Sequence, residues 1–221
     1  MIDIMIPSSI GKLHAVYHKS SMEIAPLAVI LSGNPKLGYG MNDRVTYAMF
    51  RAFMDAGFST VRFDYRGVND STGVYGSTTE NVLDIATVID WIQDNNEESN
   101  KIWLAGYNLG AWYVLQSMMR RPEVSGFALV SPDSSISDFG FLSPRPNRGL
   151  LLQGGSESDA AKNYGNHLKE ILKKQARINL ESITIKGATD RYSSAQELRQ
   201  LYNDLKAYVG KEESDKQLLD L

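Results

Sequence analysis

The chain has 221 residues, a net charge of −3 and no cysteine. This length corresponds to one or at most two domains, and folding can bury about 70–75% of the extended surface, so no metal or disulfide is needed for stability. The absence of cysteine excludes thiol nucleophiles, disulfides and cysteine-ligated metal sites. The acidic balance argues against nucleic acid and against a membrane surface as partners, because both need clustered positive charge.

The N-terminal segment does not predict a targeting signal or a membrane anchor. Residues 1–7 carry an acid and no basic region, unlike a signal peptide. The longest apolar run, residues 25–31, is far shorter than the about 20 residues that a spanning helix needs. We therefore expect a cytoplasmic protein that does not cross a membrane.

Short apolar runs alternate with longer amphipathic stretches along most of the chain. Residues 2–6 and 13–18 predict an antiparallel hairpin. The later runs predict strands over residues 27–31, 60–63, 102–105, 127–130 and 150–152. The amphipathic stretches predict helices over residues 44–56, 80–95, 109–120, 160–175 and 195–209. Ser77 with Glu80, and Ser194 with Glu197, have the spacing of capping boxes at two of these helix starts.

The alternation of strand and helix predicts an α/β fold with a doubly wound, mostly parallel sheet. Residues 1–210 form a single predicted domain, and residues 211–221 are interpreted as a polar C-terminal tail that frays. The irregular segment 131–148 is too short for a separate lid domain. In an open α/β sheet it borders the ligand crevice, which lies at the carboxyl ends of the strands.

The pattern Gly106-x-Asn108-x-Gly110 lies between a predicted strand and a predicted helix. This is the spacing of the G-x-S-x-G nucleophile elbow, with asparagine in place of serine. At this point the chain resembles the α/β-hydrolase superfamily. More narrowly, it is similar to small bacterial hydrolases related to dienelactone hydrolase and to serine-aminopeptidase-like enzymes.

Further matches support the resemblance over about residues 26–209. Residues 32–43 stand where the family has His-Pro-His-Pro-x-x-Gly-Gly-x-Met-Asn-Asn, and residues 62–73 are similar to its Arg-Phe-Asn-Phe-Arg-Gly-Val-Gly-x-Ser-x-Gly. Asp90 and Trp91 match the family's Asp-Trp pair. The resemblance implies an α/β-hydrolase fold with an N-terminal antiparallel hairpin and no separate lid domain.

The resemblance also implies a degenerate catalytic triad. The family's serine falls on Asn108, its acid on Glu157, with Asp159 as the alternative, and its histidine on Asp190. An acyl-transfer triad needs a hydroxyl and an imidazole, and a carboxylate of low pKa is a poor base for a hydroxyl. The three histidines, His14, His18 and His167, lie on the hairpin and on a flanking helix, so we do not expect them to reach the elbow.

The resemblance implies that the backbone amides of an oxyanion hole are retained. They would belong to Leu109 and to the turn at Gly33 and Asn34, and the helix that starts at Leu109 directs its positive end at the same spot. Such a site favours a small anion or a carbonyl group. We interpret Lys36 as a binding residue at this mouth, and Lys36 and Arg191 are candidates for neutralising Glu157 and Asp190. Two carboxylates are few ligands for a metal, so we expect no metal and no cofactor.

Three hypotheses for function remain open, and whether the chain is an enzyme is left undecided. The first is an α/β-hydrolase-fold protein that has lost catalysis and retains a pocket for a small molecule or a partner. The second is an active hydrolase that uses other residues, such as Ser32. The third is a structural or interaction protein with a vestigial pocket. The sequence does not reveal the oligomeric state or the ligand.

Overall fold

The computed structural model describes the backbone of residues 1–219 and the side chains of residues 1–213. The eight strands are β1 (Ile2–Ser8), β2 (Gly11–His18), β3 (Leu27–Leu31), β4 (Ser59–Phe63), β5 (Ile102–Tyr107), β6 (Val124–Val130), β7 (Arg148–Gly154) and β8 (Asn179–Ile185). The five α-helices are α1 (Arg44–Asp55), α2 (Thr78–Asp94), α3 (Leu109–Met118), α4 (Asp159–Lys174) and α5 (Ala195–Leu219).

All eight strands form one sheet in the order β1-β2-β4-β3-β5-β6-β7-β8. The hairpin β1–β2 is antiparallel and joins β4 in the antiparallel sense, whereas the pairs from β4 to β8 are parallel. The expected α/β-hydrolase sheet with an N-terminal antiparallel hairpin is thus confirmed. Parallel strands are joined by helices, and these cover the sheet on both faces.

Two apolar clusters lie on the two faces of the sheet. One contains buried side chains of α2, α3 and α4, and the other contains those of α1 and α5. The five residues of β3 and the five of β4 are all buried, which explains why these strands read as continuous apolar runs. Because helices cover both faces, the loops at the carboxyl ends of the strands are where such a sheet binds ligands.

Capping residues determine where helices α2 and α5 begin. Ser77 accepts from the Glu80 amide and Glu80 accepts from the Ser77 amide, so the first predicted capping box is present at α2. Ser194 and Glu197 form the corresponding pair of hydrogen bonds at α5, at 3.2 and 3.4 Å. Both boxes are therefore confirmed, and each satisfies amides that lack intrahelical partners.

The C-terminal helix is longer than the sequence pattern predicts. Instead of ending at residue 209, α5 continues to Leu219, and Glu212 and Glu213 are buried. Glu213 Oε1 accepts from Trp103 Nε1 at 2.8 Å, and Glu212 pairs with Arg148. The hydrogen bond from buried Trp103 and the ion pair with Arg148 hold a segment whose composition is polar. Residues 220 and 221 of the predicted tail lie outside the described residues.

The edge strand β8 was not among the predicted strands. Its burial alternates irregularly, and four of its seven residues are exposed, so it lacks the apolar run that identifies the central strands. Residues 179–185 form a strand because they pair with β7, from Arg148↔Asn179 to Gly154↔Ile185. The loops after β3, β5, β6, β7 and β8 all leave the sheet at its carboxyl edge.

Candidate functional site

The turn between β5 and α3 has the backbone of a nucleophile elbow. Asn108 has φ 51° and ψ −115°, a strained conformation for a residue with a Cβ atom. A Cβ at Gly106 would lie 2.2 Å from the Gly110 oxygen, and one at Gly110 would lie 2.5 Å from the Ser32 oxygen. The two glycines are therefore required by close backbone approach, and the predicted elbow geometry is present.

The side chain of Asn108 interacts with the turn that follows β3. Its Oδ1 accepts a hydrogen bond from the Asn34 amide at 3.4 Å. Asn34 also caps the short 3-10 helix Pro35–Leu37, since its Oδ1 accepts from the Lys36 amide at 3.0 Å. Leu109 is the first residue of α3, where a helix has no internal acceptor for its amide. Asn34, Asn108 and Leu109 therefore lie together at this turn.

The remaining predicted binding residues play different parts. Gly33 is buried under Tyr39, because a Cβ there would lie 2.8 Å from Tyr39 Cδ2. Lys36 is exposed, and Arg191 is exposed in the loop after β8. Among the described residues, neither Lys36 nor Arg191 forms an ion pair with Glu157 or Asp190. The carboxylates are therefore not neutralised in the way the sequence suggested.

The carboxylate of Glu157 is buried at the end of β7. The residue is 6% exposed, and its Oε1 accepts from the Gly154 amide at 2.7 Å and from Ser131 Oγ at 2.6 Å. Asp159, the alternative acid, lies in the first turn of α4 and is exposed. Of the two candidates, Glu157 is the one that faces the interior of the sheet edge.

The buried carboxylate of Glu157 is hydrogen-bonded to the hydroxyl of Ser131, which in turn contacts the hydroxyl of Tyr192. Ser131 Oγ lies 2.9 Å from the hydroxyl of Tyr192. Because Ser131 uses its only proton toward Glu157, the Tyr192 hydroxyl is the donor to Ser131. Burial raises the pKa of Tyr192 well above its usual value, so this hydroxyl stays protonated near neutral pH. Ser131 and Tyr192 both have positive φ, 38° and 47°, which shows that the loops are held tightly.

Asp190, at the family's histidine position, does not join this network through its side chain. Its backbone carbonyl accepts from the Tyr107 hydroxyl at 2.9 Å, and the residue is exposed. Tyr107 also contacts the Tyr39 hydroxyl at 3.3 Å. Within the described part of the chain, no hydrogen bond joins Asn108, Glu157 and Asp190 to one another. The three residues that the resemblance assigned to the triad therefore have separate hydrogen-bond partners.

The other candidate side chains are engaged elsewhere or buried. Ser32 is fully buried, and its Oγ has no partner among the described atoms. Asp133 accepts from the amide and the hydroxyl of Ser135 in a local turn. His14 contacts Asp3 on the hairpin, and His167 is exposed on α4. None of the hydrogen bonds of the described residues links a histidine to Asn108.

Among the described residues, no three His, Asp or Glu side chains are grouped so that they could hold a metal ion. No helix in the described part of the chain has the length and apolar character needed to span a bilayer.

The parallel sheet, the antiparallel first pair and the strained elbow define an α/β-hydrolase fold. The family model for X-Pro dipeptidyl-peptidase (S15 family) matches residues 2–212, and the chain belongs to this family. The resemblance to the superfamily is therefore confirmed.

Individual relatives agree with this assignment. An uncharacterized protein of Rickettsia prowazekii is 32% identical over 203 residues, which cover 88% of this chain and 84% of that protein. A protein of unknown function from Agrobacterium tumefaciens, described as an α/β hydrolase, is 32% identical, with a TM-score of 0.90 over 97% of each chain. A serine hydrolase without a lid from Xanthomonas campestris is 20% identical, with a TM-score of 0.82 over 95% of this chain and 94% of that one. At that identity, the likeness shows the fold alone.

Sequence reasoning missed the residues that hold the acid. The sequence pattern identifies Ser131 only as the start of the irregular segment 131–148. It does not identify Tyr192 or Tyr107 as candidate site residues. The available signal was position, because Ser131 directly follows a strand and Tyr192 comes two residues after Asp190. Because the loops that follow parallel strands meet at the carboxyl edge of the sheet, polar residues next to strand ends are candidates for the site.

Proposed function

We propose that this chain is an α/β-hydrolase-fold protein that has lost Ser-His-Asp hydrolysis and retains the elbow as a binding pocket for a small molecule. The observation that carries the proposal is the contact of Asn108 Oδ1 with the Asn34 amide. In hydrolases of this fold, an amide at that place stabilises the oxyanion of the substrate. Here the elbow side chain is an amide, which is not a nucleophile for acyl transfer.

The proton-accepting part of the triad supports the same conclusion. Asp190 stands in place of the imidazole and is exposed, and carboxylates in general are weaker bases than imidazole. Glu157 accepts from Ser131 and Gly154, so its described hydrogen bonds do not orient a base. Loss of nucleophile and base together removes both chemical steps of ester hydrolysis.

The backbone donors of the elbow favour a small carboxylate or a polarised carbonyl group as ligand. The amides of Asn34 and Leu109 need no particular side chain, and the N-terminus of α3 adds a favourable dipole. A ligand oxygen that binds the Asn34 amide would displace Asn108 Oδ1. At 3.4 Å that internal bond is long, so its replacement costs little.

Thermal unfolding with a defined probe tests this pocket. We expect butyrate to raise the Tm of the wild-type protein, and butyramide to raise it less, because a ligand of the native state stabilises it. Asn108→Ala frees the Asn34 amide and should increase the butyrate shift. Asn163→Ala, a change of an exposed asparagine on α4, is the matched control and should behave like wild type. Equal Tm with and without butyrate in all three proteins would contradict the binding pocket and favour a vestigial one.

The second candidate is an active hydrolase that uses another nucleophile. Membership of a peptidase family and the strained backbone retained at Asn108 favour it. Ser32 is a poor nucleophile candidate because it is fully buried. A fluorophosphonate probe separates the hypotheses, since it labels an activated serine and leaves inert hydroxyls unmodified. Labelling of one serine, located by mass spectrometry, would favour the enzyme, and no labelling would favour the binding protein.

A further inference from the structure

A groove runs along the outer surface of the α1–α5 pair, away from the elbow. It has a volume of about 590 Å³ and is open to solvent. Arg44, Tyr47 and Arg51 line it from α1, and Leu198, Arg199 and Tyr202 line it from α5. None of the elbow residues contributes to this surface.

The groove is cationic, although the chain as a whole carries a charge of −3. Three arginines line it against one carboxylate, Asp55, which is already paired with Arg51 at 3.1 Å and bound by the Tyr202 hydroxyl at 2.9 Å. Arg44 donates to the Ser193 carbonyl at 2.8 Å. No carboxylate of the described residues lies within ion-pair distance of Arg44 or Arg199. Two guanidinium groups are thus left for an anionic partner.

The apolar floor of the groove is held in place before anything binds. Tyr47 is 40% exposed on its outer side, while the guanidinium of Arg62 lies 5.2 Å from the centre of its ring. Tyr202 is fixed by its hydrogen bond to Asp55 and by Lys206, which lies 5.8 Å from its ring centre. Rigid aromatic rings lose little conformational entropy on binding, so they favour association.

The open shape of the groove and the positions of its charges indicate which kind of partner it binds. Small-molecule sites are concave and bury most of their ligand, whereas this groove is open. Arg44 on α1 and Arg199 on α5, the two groove arginines without an ion pair among the described residues, lie on the two walls of the groove. Carboxylates at positions i and i+7 of another helix, with apolar residues at i+3 and i+4 between them, lie on one face and can reach both walls. We propose that the groove binds an acidic amphipathic helix of a partner protein, with apolar residues against Tyr47, Leu198 and Tyr202.

A designed peptide tests this proposal. The probe is a fluorescein-labelled helical peptide of about 18 residues, long enough to form a helix in water, with Glu at positions i and i+7 and Leu at i+3 and i+4. A second peptide has Gln at both Glu positions. Fluorescence anisotropy should show binding of the Glu peptide that weakens with salt, and at least tenfold weaker binding of the Gln peptide.

Protein variants locate the site. Arg44→Gln combined with Arg199→Gln should weaken binding of the Glu peptide at least tenfold. Arg120→Gln, which changes an exposed arginine outside the groove, should leave it unchanged. The peptide comparison does not depend on the folding of any variant. No binding, equal binding of both peptides, equal loss in Arg120→Gln, or displacement by single-stranded RNA but not by unlabelled Glu peptide would each overturn the proposal.

Discussion

The side-chain oxygen of Asn108 accepts a hydrogen bond from the backbone amide of Asn34 at 3.4 Å. The Asn108 side chain therefore binds a backbone amide that, in hydrolases of this fold, donates to the substrate. The elbow backbone is strained, and its central side chain is an amide where the G-x-S-x-G pattern has serine. Conformation and chemistry at this turn are thus separable, and each can be tested by substitution.

The first prediction concerns ester hydrolysis by the wild-type protein. We expect no turnover of p-nitrophenyl acetate above a bovine albumin control, because the proposed function assigns Asn108 and Asp190 to the positions of the nucleophile and the base. The measurement is the absorbance of released nitrophenolate. Substantial turnover that Asn108→Ala abolishes would contradict this expectation.

The second prediction concerns rescue. Asn108→Ser alone should remain inactive, since a serine without a base stays protonated. Asn108→Ser combined with Asp190→His should recover weak ester hydrolysis and fluorophosphonate labelling. Recovery should be weak because a misplacement of about 1 Å can cost roughly a hundredfold in rate.

The position assigned to the base is tested by the same proteins. If the Asn108→Ser single variant is labelled as strongly as the double variant, another residue already serves as base. The assignment of Asp190 to the histidine position would then be incorrect. Asp190→His alone is the control and should show no labelling, because it lacks the hydroxyl.

The third prediction concerns the buried hydroxyl network. Ser131→Ala should lower the free energy of unfolding by about 1–3 kcal/mol, because the carboxylate of Glu157 loses one of its two donors. Tyr192→Phe should cost less, about 1 kcal/mol, since Ser131 can still donate to Glu157. Urea unfolding measures both.

A matched tyrosine provides the control for this network. Tyr164 is half-buried, and none of the hydrogen bonds of the described residues uses its hydroxyl. Tyr164→Phe should therefore leave stability nearly unchanged. A loss for Tyr164→Phe equal to that for Tyr192→Phe would show that the Ser131 contact contributes nothing specific.

The fourth prediction concerns backbone strain at the elbow. Asn108→Gly should be more stable than Asn108→Ala by about 1–2 kcal/mol, because both lose the side-chain contact but only glycine relieves the strain at φ 51°. The same pair of substitutions at Asn163, in α4, should give the opposite order by about 1 kcal/mol. Thermal or urea unfolding measures both pairs, and the same order at both positions would argue against strain at Asn108.

Local physical rules were enough to predict the hairpin, the central strands and the elbow from sequence. The central strands, such as Leu27–Leu31, are buried on both faces and therefore appear as apolar runs between helical patterns. Gly106 and Gly110 could be assigned because their spacing reflects sterics within one turn. The assignment of Asn108 and Asp190 to the serine and histidine positions comes from the resemblance of the residues and stays a prediction.

Only the tertiary structure decided which partners the buried polar groups have. Ser131 is hydrogen-bonded to Glu157, 26 positions away in the sequence, and to Tyr192, 61 positions away. No local sequence pattern encodes such pairs. Glu213 meets Trp103 across 110 positions, which is why a polar C-terminal segment continues as helix. Periodicity records which side of an element is apolar. It carries no information on which distant donor a buried carboxylate finds, because packing of separate elements determines that choice.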